Sequence, residues 1–368
     1  MSELLTIVVV PRERFQFARQ SLESLYENTS FPFELVYVDN NSPTTLRRYL
    51  EAQAQEKGFK LVRSPDYLSP NQARNFGLRH VDSQYVVFVD NDVIFSPGWL
   101  KALVNCTEAT GATVVGSLVC QYQPVHEIVH CAGGNYMLAE EYERFVAALH
   151  SPSLQREWQI EETTYYQDLR LEEVRDRLHR QQTGFIEFHS MLVRTAIFEQ
   201  IGWLDEGLPC TKEYIDFAMS VIKAGGTIYL EPSSVVTFLT HPPAPQMPWS
   251  DLPYFMLRWS DEWERASLLH LQQKWGLAEN KYFQKRYRKL GRRRREELIK
   301  PLVARFDFLG KPATKWLEKR LVALEKQLNR YVSHRHRRAI AQAQAISSPQ
   351  QEVYPTSCSQ QNLQKANS

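Results

Sequence analysis

The sequence lacks the features that define several large protein classes. Its five cysteines are odd in number and have no close-paired spacing, which argues against a disulfide framework or a cysteine-rich metal site and favours a reducing compartment. No apolar run reaches the roughly 18 residues that a membrane span needs, and the first residues do not form a signal peptide. These absences predict a cytoplasmic protein.

Glycine-rich nucleotide loops are also missing. No Gly-x-Gly-x-x-Gly follows the first apolar run, Leu4–Val10, which argues against a dinucleotide-binding Rossmann domain. The segment that follows, Pro11–Phe15 (PRERF), is not the glycine- and lysine-rich triphosphate loop that a nucleotidyltransferase would need. Nucleotidyl transfer is therefore a less favoured hypothesis for the activity.

The segment Tyr85–Val93 (YVVFVDNDV) carries the strongest positive signal. Its apolar run indicates a strand buried on both faces, so Asp90, Asn91 and Asp92 fall at the carboxyl end, where open α/β sheets bind ligands. Two carboxylates one residue apart can share a hard divalent cation that also bridges the oxygens of a nucleoside diphosphate. The alternative is an ordinary turn, since Asp and Asn commonly follow strands.

Strands and helices alternate through the first 92 residues. Further strands are predicted at Leu4–Val10, Phe33–Val38 and Phe59–Val62, and helices at Phe15–Tyr26, at Leu46–Gln55 and from Ser69, with Pro70 at the first helical position. This alternation predicts an α/β fold with a mainly parallel open sheet flanked by helices. Pro11–Glu13, Asp39 and Asp90–Asp92 should then meet at one edge of the sheet.

A family resemblance rests on several motifs in order. VVVPRER, VDNNS, NQARNFG and VDNDV are followed by FHSMLVRTAIFEQIGWLDEGLPCTKEYIDFAMSVIKAGG. This succession resembles the inverting glycosyltransferases of family 2 with the GT-A fold, over about Leu4–Phe238 and more weakly to Leu277. The resemblance implies a nucleoside-diphosphate sugar donor, a divalent metal (Mn²⁺ or Mg²⁺) at the Asp-x-Asp, and transfer to an acceptor hydroxyl with inversion.

By position, the resemblance also assigns the donor site. Its nucleotide-sugar side would comprise Pro11, Arg12, Glu13, Asp39, Asn71, Arg74, Gly77, Asp90 and Asn91. Asp39 would accept a hydrogen bond from the base, and Asp92 would bind the metal directly, with Asp90. An arginine offers a diphosphate bidentate hydrogen bonds, and a glycine admits a close backbone approach. The alternatives are a solvated helix charge for Arg74 and a helix-packing glycine for Gly77.

The segment Thr211–Ala224 predicts a helix capped by Thr211, with Glu213 and Asp216 on one face of its first turn. The resemblance makes it the catalytic helix, although Tyr214 stands where the family often has its general base. Glu213 is the preferred base and Asp216 the preferred orienting or metal-side acid, because a tyrosine of ordinary pKa is a poor base at neutral pH. The alternative is that both acids only complement the helix dipole.

The histidines give weaker signals. His241 is a candidate third metal ligand, with a loop histidine before Pro242 as the alternative. His189, inside the predicted strand Phe185–Val193, is expected to be a packed or hydrogen-bonded core residue. His126 and His130 are assigned to a surface hairpin in preference to the acceptor side of the pocket.

Charge is segregated along the chain. Residues 281–345 contain 20 basic and 5 acidic side chains, and the remainder has 24 and 37. Apolar positions recur at helical spacing through Lys315–Tyr331, and Arg292–Arg295 is a block of four. Such a basic amphipathic extension could bind an anionic membrane, which is preferred, or pack on its own domain. No nucleic-acid module accompanies it, and the acidic remainder of the chain would oppose polyanions.

We therefore expect a GT-A domain over residues 1–241, with a nucleotide-sugar half (1–110) and an acceptor half (111–241). A proline-rich linker and covering helix (242–280), the basic helical extension (281–346) and a polar, disordered tail (347–368) would follow. The expected activity is glycosyl transfer in polysaccharide, glycolipid or other surface-glycan synthesis, by a cytoplasmic protein that is either soluble or attached peripherally to the inner face of the membrane. The alternative of another class is a catalytically silent nucleotide-sugar-binding or membrane scaffold, motivated by Tyr214.

Overall fold

Three apolar runs, within residues 5–10, 34–40 and 85–90, form neighbouring strands of the sheet. They are nearly continuous because a strand buried on both faces does not alternate apolar with polar residues. The computed structural model describes residues 5–149, 157–240 and 246–347. Its first elements are β1 (Leu5–Val10), α1 (Ala18–Asn28), β2 (Glu34–Asn40), α2 (Thr44–Lys57), β3 (Lys60–Ser64), α3 (Pro70–Leu78), β4 (Tyr85–Asp90), β5 (Val93–Phe95) and α4 (Trp99–Thr110). The predicted strands and helices of this half are present, with ends displaced by up to three residues.

The register of these strands brings their carboxyl ends to one edge. β1 lies between β2 and β4 and is parallel to both, and β3 lies beyond β2. Val10 is opposite Asp90, and Val9 is opposite Tyr37. The segments that follow β1, β2 and β4 therefore lie side by side at the same edge of the sheet.

Helix α3 begins and packs as its residue types require. Pro70 takes the first turn, where no intrahelical donor is needed, and the Ser69 amide donates to the Gln72 side chain at 2.9 Å. A Cβ atom on Gly77 would lie 2.4 Å from Val8 Cγ1 and 3.0 Å from Val38 Cγ2. Gly77 thus allows α3 to approach β1 and β2, which is the helix-packing alternative for this residue.

Most strands of the second half extend the same sheet, in both parallel and antiparallel directions, and Gly134–Asn135 pairs with Thr163–Thr164 in a separate two-stranded sheet. The elements of this half are β6 (Val114–Gln121), β7 (Val129–Cys131), β8 (Gly134–Asn135), α5 (Ala139–Ala148), β9 (Thr163–Thr164), α6 (Leu171–Val174), β10 (Gln181–Gln182), β11 (Ser190–Arg194), α7 (Ile197–Ile201), α8 (Glu213–Lys223) and β12 (Ile228–Phe238). The strand order is β10-β12-β6-β11-β4-β1-β2-β3, with β11 antiparallel to β4 and β6, and β12 parallel to β6. The strand predicted over Phe185–Val193 is shorter and begins only at Ser190.

Helices complete the described chain. They are α9 (Leu252–Arg258), α10 (Asp261–Trp275), α11 (Lys281–Tyr287), α12 (Arg292–Arg294), a π-helical segment (Arg295–Ile299), α13 (Lys300–Ala304) and α14 (Lys311–Ser347). The single covering helix predicted for the tryptophan-rich stretch is two helices, because Ser260 interrupts it and accepts the Trp263 amide at 3.2 Å. The chain divides into two units after Ser333.

The basic extension packs with polar contacts. Arg294 is fully buried and donates to Glu325 and, at 2.7 Å, to Asp261. Helix α14 buries Glu325, Asn329 and Ser333. Its expected apolar stripe is largely exposed instead: Trp316, Leu324, Leu328 and Tyr331 are 49–62% accessible. No helix in the described part of the chain is long and apolar enough to cross a membrane.

Candidate functional site

Asp90 and Asp92 lie at the carboxyl end of β4 with buried oxygens that protein groups leave unsatisfied. Asp90 Oδ2 is 2.9 Å from His189 Nδ1, and Asp92 Oδ2 accepts the Thr240 hydroxyl at 2.7 Å. Within the described residues, Asp90 Oδ1 and Asp92 Oδ1 have no hydrogen-bond partner. Ligand atoms of Asp90, Asp92 and His189 lie within 4.8 Å of one another. Unsatisfied carboxylate oxygens beside an imidazole suit a divalent cation.

The two carboxylates differ electrostatically. Burial raises the pKa of Asp92 to about 6, and the neighbouring charge of Asp90 adds to this shift against the opposing effect of Arg12. Burial has the same tendency at Asp90, but the hydrogen bond and charge of His189, with Arg74 and Arg12, hold the pKa of Asp90 below its ordinary value. Asp92 is thus a buried acid short of positive charge, as a metal ligand is before the metal binds.

Arg12 and Glu13 lie in the loop after β1 in contrasting surroundings. The Arg12 guanidinium is 2.7 Å from His189 Nε2, and its amide donates to Asn91 Oδ1 at 3.1 Å. Glu13 is fully buried, accepting from Trp259 Nε1 and from Arg293, both at 2.7 Å. Burial opposes ionisation of Glu13, but Arg293 and Arg12 lower its pKa to about 2. Arg12 therefore faces the metal candidates, whereas Glu13 anchors the loop.

Three other predicted donor-site residues make local contacts at the same edge. Pro11 accepts the Tyr254 hydroxyl through its carbonyl at 3.3 Å. Asn91 donates to the Arg14 carbonyl at 3.1 Å and so ties the turn after β4 to the loop after β1. Asp39 accepts the Ser42 amide at 2.9 Å and pairs with Arg63. The structure brings all three to the edge, and their roles toward a nucleotide stay predictions.

Arg74 links the metal candidates to helix α8. Its guanidinium lies 3.6 Å from Asp90 and 3.8 Å from Glu213. It also donates a hydrogen bond to Asn71 Oδ1 at 3.1 Å and stacks 3.9 Å from the ring centre of Phe188. Arg74 is 3% exposed, so the solvated-charge alternative is wrong. A buried arginine held between two carboxylates is suited to bind the oxygens of a phosphate.

The two acids of α8 have separate surroundings. Glu213 lies 3.7 Å from the Arg258 guanidinium as well as near Arg74, and therefore belongs to the site. Asp216 accepts from Trp275 Nε1 at 2.7 Å and pairs with Lys274 at 2.8 Å, so it joins α8 to α10. The Thr211 cap was wrong: Lys212 precedes the helix with φ 69°, a left-handed conformation.

Tyr214 is committed to a buried polar cluster. Its hydroxyl accepts from Lys212 Nζ at 2.8 Å and donates to Glu162. Glu162 also receives Lys212 at 2.6 Å, Arg286 at 2.7 Å and the Tyr282 hydroxyl at 2.9 Å. Burial and the charge of Glu162 raise the pKa of Tyr214 well above its ordinary value, so its hydroxyl stays protonated.

Sequence reasoning missed Glu187 and the site position of His189. Glu187 is 2.9 Å from His130 Nε2 and 3.4 Å from His189 Nε2, and these three form a second cluster of potential metal ligands. His189 is buried and hydrogen-bonded, as predicted, but beside Asp90. The signal that could have found them is the presence of two titratable side chains, Glu187 and His189, in an otherwise apolar segment.

The remaining histidine predictions have different outcomes. His126 bonds Thr237 through both its amide (2.8 Å) and its ring (2.7 Å). His130 faces Glu187 and, at 3.1 Å, Gln121, so it lies closer to the site than the surface-hairpin assignment implied. His241, the candidate third ligand, lies outside the described residues.

Comparison with known proteins identifies the class. Residues 6–202 match the model of the family described as "Glycosyl transferase family 2". The chain belongs to this family, and the expectations of family 2 membership and of a GT-A fold are confirmed.

Individual relatives are more distant. The succinoglycan biosynthesis protein ExoW of Rhizobium meliloti (strain 1021) is 30% identical over 104 residues, which cover 27% of this chain and 32% of the relative's length. Among solved structures, GalNAc-T7 with UDP, GalNAc and Mn²⁺ is 15% identical, with a TM-score of 0.48 over 82% of this chain and 57% of that one. Mannosyltransferase PcManGT from Pyrobaculum calidifontis with GDP-Man and Mn²⁺ is 15% identical, with a TM-score of 0.45 over 92% and 86%.

Proposed function

We propose that the chain transfers a sugar from a nucleoside-diphosphate sugar to an acceptor hydroxyl, with inversion, during polysaccharide, glycolipid or other surface-glycan synthesis. The observation that carries the proposal is the pair Asp90 and Asp92, each with one oxygen that lacks a hydrogen-bond partner among the described residues. The Asp90 oxygen lies 3.6 Å from Arg74, which in turn lies 3.8 Å from Glu213. The partial match to a succinoglycan biosynthesis protein supports the product class.

Asp90 and Asp92 would hold a divalent metal, Mn²⁺ or Mg²⁺, with His189 as a third ligand in its neutral form. The metal would supply charge stabilisation for the departing nucleoside diphosphate. Arg74 would bind the same diphosphate through its guanidinium, because Asn71 and Phe188 already fix the orientation of that group.

Glu213 would act as the general base. The acceptor oxygen attacks the anomeric carbon on the face opposite the diphosphate, the bond from that carbon to the phosphate oxygen breaks, and the acceptor proton passes to Glu213. Arg258 and Arg74 orient its carboxylate without a close contact, at 3.7 and 3.8 Å. Attack opposite to the leaving group inverts the anomeric centre.

A panel of sugar nucleotides, assayed for slow hydrolysis with Mn²⁺ and with EDTA, tests the proposal. We expect one donor to be hydrolysed only when the metal is present. Metal-dependent binding without hydrolysis or transfer would favour the catalytically silent scaffold. Release of pyrophosphate from a nucleoside triphosphate and a sugar phosphate would favour a nucleotidyltransferase.

Asp39 offers a separate test of the nucleotide pocket. Its carboxylate is buried at the end of β2, so Asp39→Ala should weaken binding of the free nucleoside diphosphate while Mn²⁺ titration of the protein is unchanged. If the variant and the parent bind the nucleotide with equal affinity, Asp39 does not contact the nucleotide and only forms the turn through its hydrogen bond with Ser42.

The proposal also places the enzyme peripherally on an anionic membrane at its cytoplasmic face. Trp316, Leu324, Leu328 and Tyr331 are exposed on a helix rich in lysine and arginine, which is the composition of an interfacial helix. Cosedimentation with phosphatidylglycerol vesicles tests this, with phosphatidylcholine vesicles as the control. Trp316→Ser with Leu324→Ser should release the protein, and unchanged binding would contradict the membrane assignment.

A further inference from the structure

A cavity of about 540 Å³ lies between the start of α8 and the basic segment that contains α11 and α12. Five cationic side chains line it: Lys212, Arg286, Lys289, Arg292 and Arg293. Trp259, Leu268 and Leu290 contribute apolar wall, and Glu264 and Glu296 are its acids. The cavity is therefore large enough for a group of several atoms and is predominantly positive.

Part of this positive charge is not neutralised by the protein. Lys212 and Arg286 share Glu162, and Arg293 pairs with Glu13. In the described residues, Lys289 has no acidic partner within 4.0 Å, and the one ion pair of Arg292 is a marginal contact with Glu296 at 4.0 Å. The surplus therefore resides on Lys289 and Arg292.

Local electrostatics favour an anion at these two side chains. Partial desolvation, followed by the repulsion of Arg292, Lys285 and Arg286, lowers the pKa of Lys289. Burial raises the pKa of Glu264 to about 7, so this cavity acid carries only part of its negative charge at neutral pH. A bound anion would relieve the repulsion among the cations.

The cavity adjoins the reaction centre. Trp259 and Arg293 both donate to Glu13, the residue after Arg12, and Arg12 contacts His189. Lys212 immediately precedes Glu213 and holds a left-handed backbone conformation, φ 69°, which a residue other than glycine rarely adopts. A molecule held in this cavity would lie near the proposed base, because the cavity residue Trp259 contacts Arg258, which lies 3.7 Å from Glu213.

We propose that this cavity binds a phosphate or pyrophosphate group of the acceptor. The donor diphosphate is assigned to the metal site at Asp90 and Asp92, so a second phosphate site beside Glu213 serves the molecule that receives the sugar. Two surplus cations, one of them an arginine with a planar donor fork, match the charge and geometry of phosphate oxygens. The acceptor role rests on the proposed function, whereas anion binding does not.

Calorimetric titration of inorganic pyrophosphate into the full chain tests the site. EDTA is included to remove any metal through which pyrophosphate would bind at Asp90 and Asp92. Lys289→Gln with Arg292→Gln should weaken binding at least about tenfold, as two charge-assisted contacts are lost. Both side chains are exposed, so the fold is retained. Lys319→Gln with Arg320→Gln removes the same charge from exposed positions on α14 and should leave the affinity unchanged.

Unchanged pyrophosphate affinity in the Lys289 and Arg292 variant would overturn the proposal, as would absence of binding to the parent chain. Phosphatidylcholine vesicles with and without phosphatidic acid separate two sources of the phosphate. Phosphatidic-acid binding that falls in the same variant assigns the site to a lipid phosphate, and binding that persists assigns it to a soluble one. Donor hydrolysis, measured in parallel with Mn²⁺, reports separately on the proposed function.

Discussion

Asp90 and Asp92 at the sheet edge and Glu162 beside α8 are buried carboxylates with opposite surroundings. One oxygen of each aspartate has no hydrogen-bond partner among the described residues. Glu162 instead receives two cations and two tyrosine hydroxyls. Because an unsatisfied buried carboxylate is costly, this contrast is what we expect if the aspartate pair receives a ligand, as proposed, and Glu162 holds the protein together.

The two acids of α8 differ in the same way, since Glu213 is assigned to the chemistry and Asp216 to packing. Substitution of Glu213 should have the largest effect of those considered. Glu213→Gln keeps size and helix compatibility but removes basicity, so turnover should fall roughly 10² to 10⁴-fold with donor affinity nearly unchanged. Steady-state kinetics and donor titration measure both quantities. Asp216→Asn, the matched control, should affect stability more than turnover, because Lys274 and Trp275 engage its carboxylate.

Two other outcomes would change the assignment of the general base. If Asp216→Asn is inactive while Glu213→Gln is active, the acid joined to α10 is the base. If neither variant loses activity but Tyr214→Phe does, the buried polar cluster takes part in the chemistry.

Substitution in the proposed metal site should give the next largest effect. Asp92→Asn keeps a side-chain oxygen for the Thr240 hydroxyl but removes the charge, so Mn²⁺ affinity should fall at least about 100-fold. Thermal stability should be retained, because burial disfavours the charged form of Asp92 in the metal-free protein. Manganese titration by calorimetry, with circular dichroism for the fold, checks both parts. Parent-like affinity would remove Asp92 from the ligand set.

Glu162→Gln should act on stability rather than metal binding. It leaves Lys212 buried without its carboxylate, and we expect a loss of about 3–5 kcal/mol in the free energy of unfolding, measured with urea. Burial opposes ionisation, yet Lys212 and Arg286 keep the pKa of Glu162 below its ordinary 4.5. The stabilisation is therefore present above pH 4.5 and should disappear as pH falls through the lowered pKa. A variant as stable as the parent at neutral pH would contradict the structural role.

Substitution of Glu264 should have the smallest effect, and its contribution to stability should change with pH in the direction opposite to that of Glu162. The pKa of Glu264 is raised by burial from 4.5 to about 7, so the folded protein binds a proton that the unfolded chain releases between these values. Stability should therefore fall as pH rises from 4.5 to 7, by up to about 3 kcal/mol. Glu264→Gln keeps an acceptor for the Gly291 amide and should flatten this dependence. If urea unfolding gives the parent and the Glu264→Gln variant the same dependence of stability on pH, the Glu264 carboxyl is hydrated in the folded protein and its pKa is not raised.

Sequence patterns predicted the elements whose stabilising contacts are local or repetitive. β1, β2 and β4 are apolar because both faces are buried, and their parallel order places Asp90 and Asp92 at the edge without further information. Helix α3 is similarly marked by Pro70 and Gly77. These features depend on strand period, turn chemistry and close packing, which residue types express directly.

The contacts that escaped prediction join distant segments. Glu187 meets His130 across 57 residues, and Lys212 adopts its left-handed conformation where the cap was expected at Thr211. Helix α14 buries Glu325 because Arg294 donates to it, and Asn329 because Met256 and Asp261 supply its partners, so the leucines of α14 did not mark the packed face. Such pairings have no local pattern from which they could be inferred.

The bond between Glu13 and Arg293 also orders events during synthesis. These residues are 280 positions apart, so at ~5–20 residues per second the loop after β1 leaves the ribosome on the order of 15–60 s before its partner exists. Until then, closing that loop would bury an uncompensated carboxylate, whereas β1 to β4 can already pair. The sheet can thus assemble during translation, while the edge that carries Asp90 and Asp92 reaches its final form only after Arg293, in the last quarter of the chain, has emerged.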